Sequence, residues 1–131
     1  MKFTVEDAVF FLDMIDSVWS PNWEPSMYKQ KPYYALFKDK DSDDYKRFLG
    51  VYNAMRNELS EREQFVLDEI YGVDRDCGKL RNIAAMLNIT PARVSQIIAK
   101  GERKLGENLL LLIFWKKTFS YLLVDVFLYK R

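Results

Sequence analysis

Hydrophobic side chains recur at helical spacing in several stretches of the chain, and this pattern predicts an all-α fold. Thr4 can cap a first helix over residues 5–19, whose inward positions would be Val9, Phe10, Leu12, Ile15 and Trp19. A second helix is predicted over residues 43–57, with an inner face of Tyr45, Phe48, Leu49, Tyr52 and Met55. Pro32 divides residues 28–37, which fit either a loop or a short helix.

A capping box predicts the start of the next helix. The Ser60 hydroxyl can accept a backbone N–H bond, while Glu63, three residues further on, can accept the N–H of Ser60. The helix that follows would end at Gly72. Its inner face would consist of Val66, Leu67 and Ile70.

Residues 80–97 fit two helices joined by a tight turn. Ile83 and Leu87 lie four residues apart on the inner face of the first helix, and Ala84 is small enough for a close crossing. Asn88 stands where the turn needs a left-handed backbone, which asparagine tolerates better than most residues. This arrangement is typical of a helix-turn-helix.

The second helix of the pair is predicted over residues 91–105. Thr90 can cap it, and Pro91 occupies its first position, where a missing amide costs no hydrogen bond. Its inward residues would be Val94 and Ile97. Its outward residues would be Ala92, Arg93, Ser95, Gln96 and Lys100.

The outward side chains have the chemistry of a DNA contact. Arg93 can bond to a phosphate or a guanine, and Gln96 can pair with adenine through its amide. Residues 79–104 hold six basic side chains and one acidic side chain. Long cations suited to phosphate are Lys100, Arg103 and Lys104. The alternative interpretation is a pair of short packed helices with a solvated basic face.

Charge and aromatic content divide the 131-residue chain, whose net charge is only +1. Residues 1–78 hold 10 basic and 16 acidic side chains, whereas residues 79–131 hold 10 basic and three acidic ones. The basic half is therefore a candidate for binding a polyanion. Of 20 aromatic residues, 12 lie in residues 1–57, two in 58–107 and six in 108–131, so the flanks would supply bulky core material.

Residues 109–129 form an apolar tail. One helical stripe along it would carry Leu112, Trp115, Phe119, Leu122, Val126 and Tyr129, although residues 119–129 also have the composition of a strand. A membrane span is disfavoured by the interior charges of Lys116, Lys117 and Asp125. We expect the tail to pack on the N-terminal helices or to form a dimer or partner interface.

The chain contains no histidine and a single cysteine, Cys77. Histidine-based acid–base catalysis is thereby excluded, and a lone thiol forms neither an internal disulfide nor a thiolate metal cage. Because no nucleophile–base arrangement is apparent, we expect no enzymatic activity, cofactor or metal site. The N-terminal residues become acidic at once and are unlike a secretory signal, so the expected location is cytoplasmic.

Residues 59–105 resemble region 4 of bacterial sigma factors. The opening Leu-Ser-Glu-Arg-Glu is similar to that region's first helix, and Arg-Val-Ser-Gln-Ile at 93–97 is similar to its helix-turn-helix. The resemblance implies recognition of the promoter −35 element and docking on the β-subunit flap of RNA polymerase. It also implies that Gln96 reads a base and that Arg93 and Lys100 contact the DNA backbone.

The chain departs from the sigma-factor pattern in two respects. The family often places arginine and glutamate after the capping threonine, where this chain has Pro91 and Ala92, so its sequence preference should differ or be weaker. No counterpart of region 2 is recognisable, so a complete sigma factor is not expected. The layout is similar to that of short phage and mobile-element regulators.

We therefore expect an all-α fold in three parts. Residues 1–57 would be an aromatic-rich N-terminal helical part, residues 58–107 a sigma region 4-like helix-turn-helix module, and residues 108–131 an apolar C-terminal segment. The predicted DNA-binding residues are Arg81, Thr90, Pro91, Ala92, Arg93, Ser95, Gln96, Lys100, Arg103 and Lys104.

The predicted function is a sequence-specific DNA-binding transcription regulator that reads promoter DNA in the major groove. One alternative is a polymerase-binding factor that has lost DNA reading. Another is an oligomeric assembly protein that holds DNA, such as a packaging subunit. The expected partners are double-stranded DNA, the RNA polymerase β-flap and a second copy of the chain, held through its terminal apolar segments.

Overall fold

The computed structural model describes residues 3–15 and 31–129, and for residues 116–129 only the course of the backbone. This part of the chain contains six α-helices and no β-strand, which confirms the predicted all-α class. A 3₁₀ turn over Arg56–Glu58 joins the third helix to the fourth. The helices are α1 (Val5–Met14), α2 (Tyr33–Leu36), α3 (Asp43–Met55), α4 (Glu61–Tyr71), α5 (Leu80–Leu87) and α6 (Pro91–Tyr129).

Short polar side chains start α1 and α4. Thr4 accepts the N–H of Asp7 at 3.1 Å, and Asp7 accepts the N–H of Thr4 at 3.0 Å. The predicted capping box of α4 is confirmed, with Ser60 and Glu63 exchanging bonds of 3.2 and 2.9 Å. Each box satisfies amides that the helix leaves free at its first turn. The ending predicted for α4 is also confirmed, because Gly72 follows it with a left-handed φ of 72°.

The buried face of α3 is largely the predicted one, with Tyr45, Phe48, Tyr52 and Met55 buried, whereas that of α1 is shifted towards Ala8 and Phe11. Phe11 is fully buried and stacks on Phe48 of α3 at 4.7 Å between ring centroids. The predicted inward residue Phe10 is only half-buried, with the guanidinium of Arg47 over its ring. Val51, in α3, is likewise buried more deeply than the predicted Leu49. The predicted end of the first helix, including Trp19, lies outside the described residues.

Tyr71 is the centre of the hydrophobic core. Its ring meets those of Phe48 and Tyr52 edge-on at 4.9 Å and that of Tyr33 at 5.2 Å. Its hydroxyl donates to a carboxylate oxygen of Glu102 on α6 at 2.6 Å. The N-terminal aromatic helices therefore pack directly on α4 and α6, and one hydrophobic cluster runs through both.

A buried polar network also joins α3 to α4. The hydroxyl of Tyr52 donates to Asp68 at 2.7 Å, and the guanidinium of Arg56 donates to the same carboxylate at 2.5 Å. A buried carboxylate is tolerated when its oxygens receive bonds of this kind. Asp68 therefore anchors the end of α3 to the side of α4.

The last helix, α6, is continuous over 39 residues. The predicted end of this helix at residue 105 is therefore wrong. The helix passes through residues 107 and 108 without a break, and residues 119–129, which also suited a strand, are helical. Gly101 lies where α6 approaches α4, and a Cβ there would come within 3.1 Å of Leu67 Cδ1. Leu105 and Leu109 are fully buried, and their helix also lies against α1.

No helix in the described residues is both long enough and apolar enough to cross a membrane.

The turn between α5 and α6 yields a first prediction. Asn88 has a φ of 56°, a left-handed backbone that costs a β-branched residue about 1–2 kcal/mol and glycine almost nothing. We expect Asn88→Val to lower the free energy of unfolding by about that amount, and Asn88→Gly to change it by less than about 0.5 kcal/mol. Urea unfolding followed by circular dichroism measures both.

Asn53→Val is the matched control, because Asn53 is exposed within the regular helix α3, where the two residue types have similar propensities. Equal losses from Asn88→Val and Asn53→Val would contradict the role assigned to the turn.

Candidate nucleic-acid interface

The helices α5 and α6 are joined by a turn with the local bonds that the sequence predicts. The N–H of Ile89 bonds to the carbonyl of Ala84 at 3.0 Å, which closes the end of α5. The Thr90 hydroxyl accepts the N–H of Arg93 at 3.1 Å and so caps α6. Of the predicted inward residues, Ile83, Ala84, Val94 and Ile97 are buried, and Leu87 is partly buried against the core. Packing of these side chains in the core therefore fixes the orientation of both helices.

The opposite face of this helix pair is open to solvent. Nine of the ten residues that the sequence predicts to bind DNA are exposed, namely Arg81, Thr90, Pro91, Ala92, Arg93, Ser95, Gln96, Lys100 and Arg103. On α6, Ala92, Gln96, Lys100 and Arg103 follow one another at intervals of four and three residues, so they share one side of the helix, and the other exposed residues flank them. We call the set on α6 from Pro91 to Arg103 the outer face.

The outer face carries positive charge without a compensating acid. The single acidic residue among residues 79–104 is Glu102, and its side chain is turned into the core, only 3% exposed. The exposed charges in that range are cations alone, namely Lys79, Arg81, Arg93, Lys100 and Arg103. The burial of one carboxylate therefore makes the exposed charge purely positive, which favours a polyanionic partner.

Glu102 is held inside by Tyr71 at the end of α4 and by Lys31, which precedes α2. One of its oxygens accepts the Tyr71 hydroxyl, and the other lies 3.4 Å from Lys31 Nζ. Lys31 also donates to the carbonyl of Ile15, beyond the end of α1, at 2.6 Å. Burial raises the pKa of Glu102 above its usual value, although Lys31 and Tyr71 work in the opposite direction.

Lys104 differs from the other predicted contacts because it already has an anionic partner. Its ammonium donates to Glu63 at 2.8 Å, and the side chain is 38% exposed. Burial acts to raise the pKa of Glu63, but bonds from Lys104 and Ser60 outweigh it, so the pKa lies below its usual value. Lys104 thus ties α6 to the start of α4 at the rim of the outer face.

Two central residues of the outer face contact each other. The guanidinium of Arg93 donates to the amide oxygen of Gln96 at 3.2 Å, one helical turn further along. This bond orients the Gln96 amide so that its NH₂ group remains free to donate.

The structure adds two residues that sequence reasoning missed. Lys79 is the exposed N-cap residue of α5, and Tyr34 of α2 lies beside it across a groove of about 560 Å³. Arg81 and Pro91 line the same groove. Lys79 was recognisable as one more cation before α5, but Tyr34 lies 45 residues earlier and carries no motif.

Comparison with protein-family models, curated proteins and solved structures gave no match. Among the described residues, no group of three or more cysteine and carboxylate side chains is placed to hold a metal ion. The site is therefore interpreted from its own chemistry, which is that of a convex basic helix face.

The burial of Glu102 yields a second prediction. The folded state binds a proton on this carboxylate more tightly than the unfolded chain, so the associated stability is present at low pH and is lost as pH rises from the unfolded pKa through the folded one. Glu102→Gln removes this ionisation. We expect the variant to gain stability relative to the native protein as pH rises from about 4 to 8.

Urea unfolding at four pH values across this range measures the difference. Glu107→Gln is the control, since Glu107 lies exposed on the same helix. Parallel stability profiles for the native protein and Glu102→Gln would disprove the assignment.

Proposed function

We propose that the protein is a sequence-specific, double-stranded DNA-binding transcription regulator with a sigma region 4-like helix-turn-helix. In this proposal α5 and α6 form the motif, and the first half of α6 is the recognition helix. The observation that carries the proposal is the outer face, because between Pro91 and Arg103 it combines exposed cations, a polar amide and no exposed acid. The major groove is wide enough to admit such a helix.

Each residue of the outer face has a proposed role. Gln96 contacts a base edge, with its amide oriented by Arg93. Lys100 and Arg103 contact phosphates of the DNA backbone, and Arg93 contacts a phosphate or guanine as well as Gln96. Small exposed side chains at the start of the helix, Ala92 and Ser95, allow close approach to the bases.

Polymerase binding is a second element of the proposal and rests on the resemblance to sigma region 4. In that family the same module docks on the β-subunit flap of RNA polymerase. Pro91 and Ala92 replace residues that the family often uses for base reading, so docking and DNA reading need separate tests.

An apolar patch on α6 supports self-association of the regulator. Leu111, Phe114 and Trp115 are 66%, 70% and 66% exposed, and they lie on the side of the helix away from Leu112 and Ile113, which pack against the core. Leu111 and Phe114 also line a cavity of about 440 Å³ with Leu110 and Glu107. Exposed apolar patches commonly mark contacts, and a dimer would present two recognition helices to successive major grooves. Sedimentation at several protein concentrations tests this.

The salt dependence of DNA binding tests the principal proposal. We expect fluorescence anisotropy with random duplex DNA to show log K falling with log salt at a slope of about −4 to −5, corresponding to about five neutralised phosphates. Site selection then supplies a preferred sequence for the variants.

On that sequence, Arg93→Ala should weaken binding to every duplex, because it removes a cation. Gln96→Ala should mainly relax the preference at one base pair, by about 1–3 kcal/mol. Lys46→Ala, an exposed lysine on α3, is the control and should leave binding unchanged.

Other results would point to the alternatives. No binding at low salt, together with capture of RNA polymerase, would indicate a polymerase-binding factor without DNA reading. Salt-dependent binding with no sequence preference and a ring-sized oligomer would indicate a DNA-holding assembly. Equal losses on all sequences from Arg93→Ala and Gln96→Ala would remove Gln96 as a base-reading residue.

A further inference from the structure

A groove continues the outer face towards the N-terminal part of the molecule. Lys79 and Arg81 at the start of α5 and Pro91 at the start of α6 line it on one side, and Tyr34 of α2 lines the other. Pro91 belongs to both the groove and the outer face. The two surfaces are therefore continuous.

Tyr34 lines one side of this groove, and neighbouring aromatic rings hold its ring in place. Its ring packs against that of Tyr33 at 4.9 Å and meets that of Phe37 edge-on at 5.6 Å between centroids. Tyr34 also borders a smaller cavity of about 180 Å³, which Ser95 of the outer face lines on the opposite helix. With 38% of its surface exposed, Tyr34 lies beside the recognition helix although it comes from a distant part of the sequence.

The charge of the groove favours an anion. Lys79 and Arg81 are exposed, and none of the described lining residues is acidic. The groove mouth thus presents two long cations beside an aromatic ring. This combination suits a sugar–phosphate chain, whose phosphates take the cations while its deoxyribose lies against the ring.

We propose that this groove holds the DNA backbone that flanks the base pairs read by α6, so that α2 of the N-terminal part forms one wall of the DNA interface. The proposal rests on the proposed DNA-binding function and extends the interface beyond the helix-turn-helix. The occupant is argued from charge complementarity and from the continuity of the groove with the outer face.

A pair of charge variants on α2 tests the groove. Tyr34→Glu places a carboxylate in the wall, where it would repel a phosphate. Ala35→Glu places the same charge on the adjacent exposed residue, which is not among those lining the groove. We expect Tyr34→Glu to weaken binding to the preferred duplex about tenfold at 0.1 M salt, and Ala35→Glu by less than about twofold.

A second pair is independent of the aromatic packing of Tyr34. Lys79→Glu should weaken binding more than tenfold and reduce the salt slope by about 1, because it removes a phosphate contact. Lys46→Glu makes the same charge change on α3 and should have little effect. Thermal unfolding of all four variants shows whether each is folded.

The outcomes separate this inference from the proposed function. If Arg93→Ala weakens binding while Tyr34→Glu matches Ala35→Glu and Lys79→Glu matches Lys46→Glu, the groove proposal is wrong and DNA binding by α6 stands. If the native protein binds no DNA at low salt, the proposed function itself fails. Losses confined to Tyr34→Glu and Lys79→Glu establish the groove as part of the interface.

Discussion

The rest of the structure depends on the hydrogen bond between Tyr71 and Glu102, which joins the end of α4 to α6. Its donor closes α4 and lies among rings from α2 and α3, while its acceptor lies on the proposed recognition helix. A buried carboxylate is costly unless it is bonded, so Glu102 requires Tyr71 and Lys31 to remain in place. The polar requirement of one residue thereby fixes the position of α6 relative to the N-terminal helices.

The same bond determines the electrostatics of the opposite side of α6. Because Glu102 is turned inward, the neighbouring cations at Lys100 and Arg103 face solvent without an acid between them. A carboxylate exposed at that position would lower the attraction for phosphates along the helix. The inward direction of the Glu102 side chain thus affects both the packing of the core and the charge of the outer face.

Association of the N-terminal part with the helix pair also gives that part a proposed functional role. Tyr33 is buried against Tyr71, and its neighbour Tyr34 is consequently placed beside the starts of α5 and α6. The proposed interface therefore combines a regular element, the outer face, with a wall contributed by a short helix from elsewhere in the chain. A core that holds both is what makes such a composite surface stable.

Local rules in the sequence determined the start of α4, the end of α5 and the start of α6, but not the end of α6, which continues to Tyr129. The Ser60 capping box, the left-handed Asn88 and the Thr90 cap are satisfied by neighbours within a few residues, so each could be predicted without knowledge of the fold. The inward and outward sides of α5 and α6 followed from periodicity in the same way. Only the tertiary structure decided that Glu102 is buried, that Lys104 is paired with Glu63 and that Tyr34 lies beside Lys79. These features join residues between 31 and 71 positions apart, and their partners are selected by the packing of whole helices, which local periodicity does not encode.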